Sequence, residues 1–137
     1  MLLRAAQDAD DVSAGLQVFL DHIPQRETDL EGCIDELVAL SAALREIAEE
    51  HPGYDRINPR LTTDVELCIR SLGLTLRKVR AMFGETRHVK YSGERPYRRA
   101  WEDLDNHFVT QGNGPSLVSR LETYDIFIQS ILSSLKG

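Results

Sequence analysis

The sequence predicts an all-α protein, an antiparallel up-and-down bundle of four main helices with a short additional helix at the N-terminus. Three observations carry that expectation. Apolar residues recur at three- and four-residue intervals in segment after segment, the repeat that lines side chains along one face of a helix. No stretch of β-branched alternation is long enough to compete. Proline and glycine fall mostly between the periodic runs, where they punctuate helices. With 137 residues, 42% of them hydrophobic, the chain fits one domain around one continuous core. Residues 1–137 are therefore read as a single unit. Because Leu135-Lys136-Gly137 stops directly after a helical pattern, that unit is expected to be the N-terminal part of a longer protein.

The first helix is expected from about Asp8 or Asp11 to Leu20, with Val12, Leu16, Phe19, Leu20 and Ile23 on one side and Pro24 closing it. The second opens at Thr28-x-x-Glu31, a capping-box pattern in which the threonine oxygen and the glutamate carboxylate each accept from a free backbone N–H. Its apolar face, from Leu30 through Cys33, Ile34, Leu37, Leu40, Leu44 and Ile47 to Ala48, ends before Pro52-Gly53. Asn58-Pro59 starts the third, since asparagine is a favoured N-cap and proline is preset for the first helical position. Leu61, Val65, Cys68, Leu72, Leu76, Val79 and Phe83 keep helical spacing as far as Gly84, which is expected to be a left-handed stop. Gly73, in the middle of that helix, gives up about 1 kcal/mol of propensity relative to alanine, and a close helix crossing is the favoured reason for it.

A loop is expected from Glu85 to Arg95. Pro96 then starts a fourth helix with Tyr97, Trp101, Leu104 and Phe108 inward and Trp101 as a core anchor, and Gly112-Asn113-Gly114 ends it. Pro115 starts the fifth, with Leu117, Leu121, Tyr124, Ile128, Ile131 and Leu135 inward and Val118, Phe127 and Leu132 widening the stripe. Short connections between such helices predict antiparallel neighbours.

Motifs for catalysis are missing from this framework. None of the four histidines joins a His-Glu-x-x-His pattern. Asp103 and His107, four residues apart, supply two ligands where zinc needs three or four, so they read as neighbours on a solvated helix face. His22 reads as a helix-end residue, and His51 as the C-terminus of the second helix, where a positive charge suits the dipole. No Gly-x-Ser-x-Gly turn and no phosphate-binding Gly-Lys-Ser or Gly-Lys-Thr run occurs. The expectation is a protein that is not an enzyme and uses no cofactor, no metal and no small-molecule substrate. Cys33 and Cys68 lie among leucines and isoleucines without Cys-x-x-Cys spacing, so both are expected to be buried and reduced. Gln7, Asp8, Asp10 and Asp11 interrupt the N-terminal apolar residues before a secretory core forms, and no window approaches a membrane span. A soluble, cytoplasmic protein is expected.

Charge is the feature left to explain. Eight of the sixteen basic residues fall between Arg77 and Arg99 against two acids, Glu85 and Glu94, although the whole chain carries −6. Arg77, Lys78 and Arg80 fall in the last turns of the third helix, where they complement its dipole. Arg98 and Arg99 stand at the start of the fourth helix, where the dipole disfavours them, although Glu102 and Asp103 are within pairing distance along the helix. Between them runs Arg87-His88-Val89-Lys90-Tyr91-Ser92-Gly93-Glu94-Arg95. Arg87, Lys90, Tyr91, Arg95, Arg98 and Arg99 are the candidate partner-binding residues. An acidic protein surface fits them, and the carboxylates of the second helix make a second copy of the chain a natural partner. Anionic lipid is the alternative, with Tyr91 at the interface. Nucleic acid is not expected, because the acidic remainder repels phosphates and the segment offers few stacking platforms.

Between Ile34 and Leu135, several stretches resemble a helical domain of filamentous-fungal proteins: Val65-Glu66-Leu67-Cys68-Ile69-Arg70-Ser71-Leu72, Met82-Phe83-Gly84, Pro96-Tyr97-Arg98-Arg99-Ala100-Trp101-Glu102-Asp103-Leu104 and Arg120-Leu121-Glu122-Thr123-Tyr124. It is similar to the N-terminal bundles that front fungal signalling proteins of the NOD-like receptor type. The resemblance implies a non-enzymatic module for recruitment or self-assembly, or for membrane-directed cell death. Met1-Leu2-Leu3-Arg4-Ala5-Ala6-Gln7-Asp8 departs from the cell-death version, being too short and too soon charged to enter a bilayer.

Overall fold

A computed structural model of the chain describes residues 1–86, 94–111 and 114–137, with side chains at 1–86, 94–109 and 114–137. Among these the fold is all-α, a helical bundle with no strand: α1 (Leu2–His22), a 3₁₀ turn (Pro24–Arg26), α2 (Glu27–Glu50), α3 (Tyr54–Ile57), α4 (Pro59–Thr86), α5 (Glu94–Asn106), a π turn (His107–Gln111) and α6 (Leu117–Lys136).

The N-terminal helix is not short. It begins at Leu2, and Leu2, Ala5, Ala9, Val12, Leu16, Phe19 and Ile23 form one buried stripe at three- and four-residue spacing. The acids that interrupt this segment in the sequence hold it to its neighbours. Asp10 accepts from Arg45 of α2 at 2.7 Å, and Asp8 and Asp11 share Arg80 of α4 at 3.1 and 3.2 Å. Burial alone raises the Asp10 pKa, but hydrogen bonds from Ser41 and Arg45, with the Arg45 charge, outweigh it and hold the carboxyl below its ordinary value.

Four long helices, α1, α2, α6 and α4, pack in a ring in that order, and α5 lies over α4 and α1. The expectation that each helix has antiparallel neighbours is corrected by the residue pairs. Asp10 meets Arg45, so α1 and α2 run in opposite directions, and Thr75 bonds Tyr124 at 2.9 Å in a pair of opposed helices α4 and α6. In contrast, Asp8 and Asp11 meet Arg80 while Phe19 meets Phe83, so α1 and α4 run the same way. Val118 lies against Gly32 and Lys136 against Glu46, so α2 and α6 also run together. The connection from α2 to α4 carries a helical turn of its own, α3 with buried Tyr54, and crosses the ring instead of turning back beside α2.

Several boundaries also move. The capping box at Thr28 and Glu31 does not form, because the 3₁₀ turn runs straight into α2 and leaves Thr28 already inside the helix. Asn58 does cap α4, its Oδ1 accepting from the Arg60 N–H at 3.0 Å ahead of Pro59. Gly84 is helical and is not a left-handed stop. Gly73 faces open space, so no close crossing explains it, whereas Gly15 is crowded by Phe83 and Gly32 by Val118. α5 starts at Glu94, ahead of Pro96. α6 starts after Pro115, at Leu117, and Ser116 caps it, its hydroxyl accepting from the Ser119 N–H. Trp101, Leu104 and Phe108 are buried as expected, but Phe127 is exposed. Cys33 and Cys68 are buried free thiols, and burial is the first cause pushing them up to about 12 and about 11. His51 closes α2, its N–H donating to Ile47 at 3.0 Å. Gly112 and Asn113 lie outside the described residues.

Candidate functional site: the basic end of α4 and start of α5

The first turns of α5 are fixed by apolar and polar contacts together. Tyr97 meets the Phe19 ring edge-on at 5.0 Å and stacks on His22 at 4.0 Å between centroids. The His22 ring is itself oriented, its Nδ1 donating to the Val18 carbonyl at 2.8 Å. Trp101 and Ala100 are buried one turn further on. Along the outer edge Gln25 donates to Glu94, and Arg26 pairs with Glu102 at 2.8 Å. These contacts turn Arg95, Arg98 and Arg99 to the outside, where all three are exposed.

Their surroundings differ. Arg98 pairs with Glu94 one turn back along α5. Glu102, within pairing distance of these arginines along the helix, is engaged by Arg26 instead. Arg95 and Arg99 border a cleft of about 500 Å³ with Glu85, Thr86, Pro96, Ala100 and Asp103. A neighbouring cleft of about 220 Å³ between α4 and α5 has Lys78, Glu85, Asp103 and His107 on its walls. Glu85 and Asp103 stand on both, so a small anion inside either cleft meets carboxylates as well as cations.

Of the six candidate residues, Arg87, Lys90 and Tyr91 lie outside the described residues. Arg95, Arg98 and Arg99 come together on one exposed turn. Arg80, explained in the sequence as a helix-end charge, belongs to the fold through Asp8 and Asp11. Asp103 and His107 share a cleft wall, and among the described residues no three histidine, cysteine or acidic side chains converge on a point where a metal ion fits. No described helix is long and apolar enough to cross a membrane.

The role of Tyr97 and His22, which fix the angle of the arginines, is not legible in the charge pattern of the sequence. Their signal was the aromatic pair Phe19 and His22 three residues apart at a helix end, which leaves an aromatic shelf for a third ring.

Comparison with protein-family models, with curated proteins and with solved structures found no match for this chain.

Proposed function

We propose that this chain is a non-enzymatic interaction module that binds an acidic protein surface, another copy of itself included, through the start of α5 and the segment before it. The observation that carries the reading is the exposure of Arg95, Arg98 and Arg99 on the first turns of α5, where the positive end of the helix dipole disfavours them. Among the described residues Arg95 and Arg99 have no ion-pair partner. Cations that oppose the local field and do not brace the fold are best accounted for by something outside it. The resemblance to helical N-terminal domains of fungal NOD-like receptors supports the same class of function, and with it a cytoplasmic setting. Arg87, Lys90 and Tyr91 would extend the surface.

The test replaces Lys90, Arg95, Arg98 and Arg99 by glutamate together and measures retention on polyglutamate-coated beads. The expected outcome is an unchanged helical circular-dichroism spectrum with loss of retention. Equal retention by wild type and variant would sink the reading. Sedimentation with phosphatidylserine vesicles separates the alternatives: binding to vesicles but not to polyglutamate would assign the surface to lipid.

A further inference from the structure

α4 carries a second outward stripe that the core does not use. Asp64, Leu67, Ser71, Leu74 and Lys78 follow at spacings of three, four, three and four, which sets them along one line of the helix surface. Leu67 is 54% exposed and Leu74 57%, and Phe127 of α6, on the same groove as Leu67, is 39% exposed. Asp64, Leu67 and Ser71 join Thr123, Tyr124 and Phe127 around an open groove of about 340 Å³ between α4 and α6. The adjoining helix has no charged residue from Ile126 to Leu135, in a chain of which 28% is charged. Depletion of charge with exposed leucine and phenylalanine is the composition of an interface centre.

The order along the stripe is complementary to its own reverse. A second α4 turned end for end about Ser71 places its Lys78 level with Asp64 and its Leu74 one residue short of the level of Leu67, and two-fold symmetry makes each contact twice. Ser71, at the axis, is small enough for close approach. Parallel pairing would instead set Asp64 on Asp64 and Lys78 on Lys78. Among the described residues neither Asp64 nor Lys78 has an ion-pair partner within the chain. We infer that this face joins two copies of the chain into a homodimer, with the two α4 helices antiparallel across Ser71. The surface is distinct from the arginines of α5, and the inference stands independently of the reading proposed for them.

Light scattering over a concentration series tests it, on wild type, Asp64→Lys, Lys78→Asp and the two changes combined. All four proteins should keep the helical spectrum, because both side chains are exposed. The wild type is expected to pass from monomer to dimer as concentration rises. Each single change sets like charges together at two symmetric places and should raise the dissociation constant about tenfold. The combined change re-forms both pairs with reversed sign and should recover most of the affinity, whereas Leu67→Asp with Leu74→Asp should abolish the dimer. Replacing Arg95, Arg98 and Arg99 by glutamate should leave it intact, which separates this surface from the one on α5. A wild type monomeric at its highest soluble concentration, a dimer indifferent to both single changes, or a combined variant no tighter than the singles would overturn the inference.

Discussion

Gly15 of α1 lies under the ring of Phe83 of α4, so close that a methyl group at residue 15 would overlap three ring carbons. The contact belongs to the parallel α1 and α4 pair, and Phe83 in turn meets Phe19 at 5.7 Å. Gly15→Ala is therefore expected to destabilise the protein by about 1–3 kcal/mol, the usual cost of overpacking, despite the better helix propensity of alanine. Urea unfolding measures it, and a neutral or stabilising result contradicts this packing.

Gly73 predicts the opposite sign. A Cβ there meets nothing within 4 Å, and the residue is exposed in the middle of α4. Gly73→Ala should stabilise the fold by about 1 kcal/mol through helix propensity alone. A loss of stability would mean that the neighbouring groove lined by Arg4, Ala5, Leu72 and Leu76 is tighter than described.

Glu36 predicts a pH effect that runs against the usual carboxylate. Burial raises its pKa, and Asp125 and Glu122 of α6 raise it further, while its Oε2 is buried with no hydrogen-bond donor. The folded state therefore holds a proton more tightly than the unfolded chain, and this group's contribution to stability grows as pH falls from neutrality through its raised folded pKa. Asp10 acts in the other sense, since its lowered pKa gives stability that is lost as pH falls through the folded value. Glu36→Gln should raise the melting temperature at pH 7 and flatten the gain in stability as pH falls below neutrality. No change at pH 7 counts against the account.

Arg120 ties the π turn to α6. Its Nε donates to the Pro115 carbonyl at 2.9 Å and a terminal nitrogen to the Phe108 carbonyl at 3.3 Å, and the guanidinium lies 4.9 Å from the centre of the Phe108 ring. Lysine keeps the charge but not the fork or the flat stacking surface. Arg120→Lys should cost about 1–2 kcal/mol and speed amide exchange in the last turn of α5. Unchanged exchange there would remove Arg120 from this role.

The all-α class, Trp101 as an anchor and the burial of both cysteines follow from the repeat of apolar residues. The full length of α1 does not stand out, because Ala5, Ala6 and Ala9 carry little hydrophobic signal and Asp8, Asp10 and Asp11 look like an interruption. Only the tertiary partners Arg45 and Arg80 make those acids part of the structure. Neighbour order is equally hidden, since short connections are compatible with turning back or with crossing the ring, and α3 decides between them. At the basic surface, the excess of cations is legible and their pairing is not. Glu102 lies near Arg98 and Arg99 in sequence, but Arg26 reaches it from another element.

In the proposed role Arg95, Arg98 and Arg99 bind an acidic partner. A fluorescence-polarisation titration of labelled polyglutamate with the wild-type chain and with Arg95→Glu, Arg98→Glu, Arg99→Glu combined, over a series of salt concentrations, tests it most directly. Saturable wild-type binding that weakens as salt screens the charges is expected, with binding at least about tenfold weaker in the variant at low salt. Wild-type binding that is absent at low ionic strength, or that the variant matches, would contradict it.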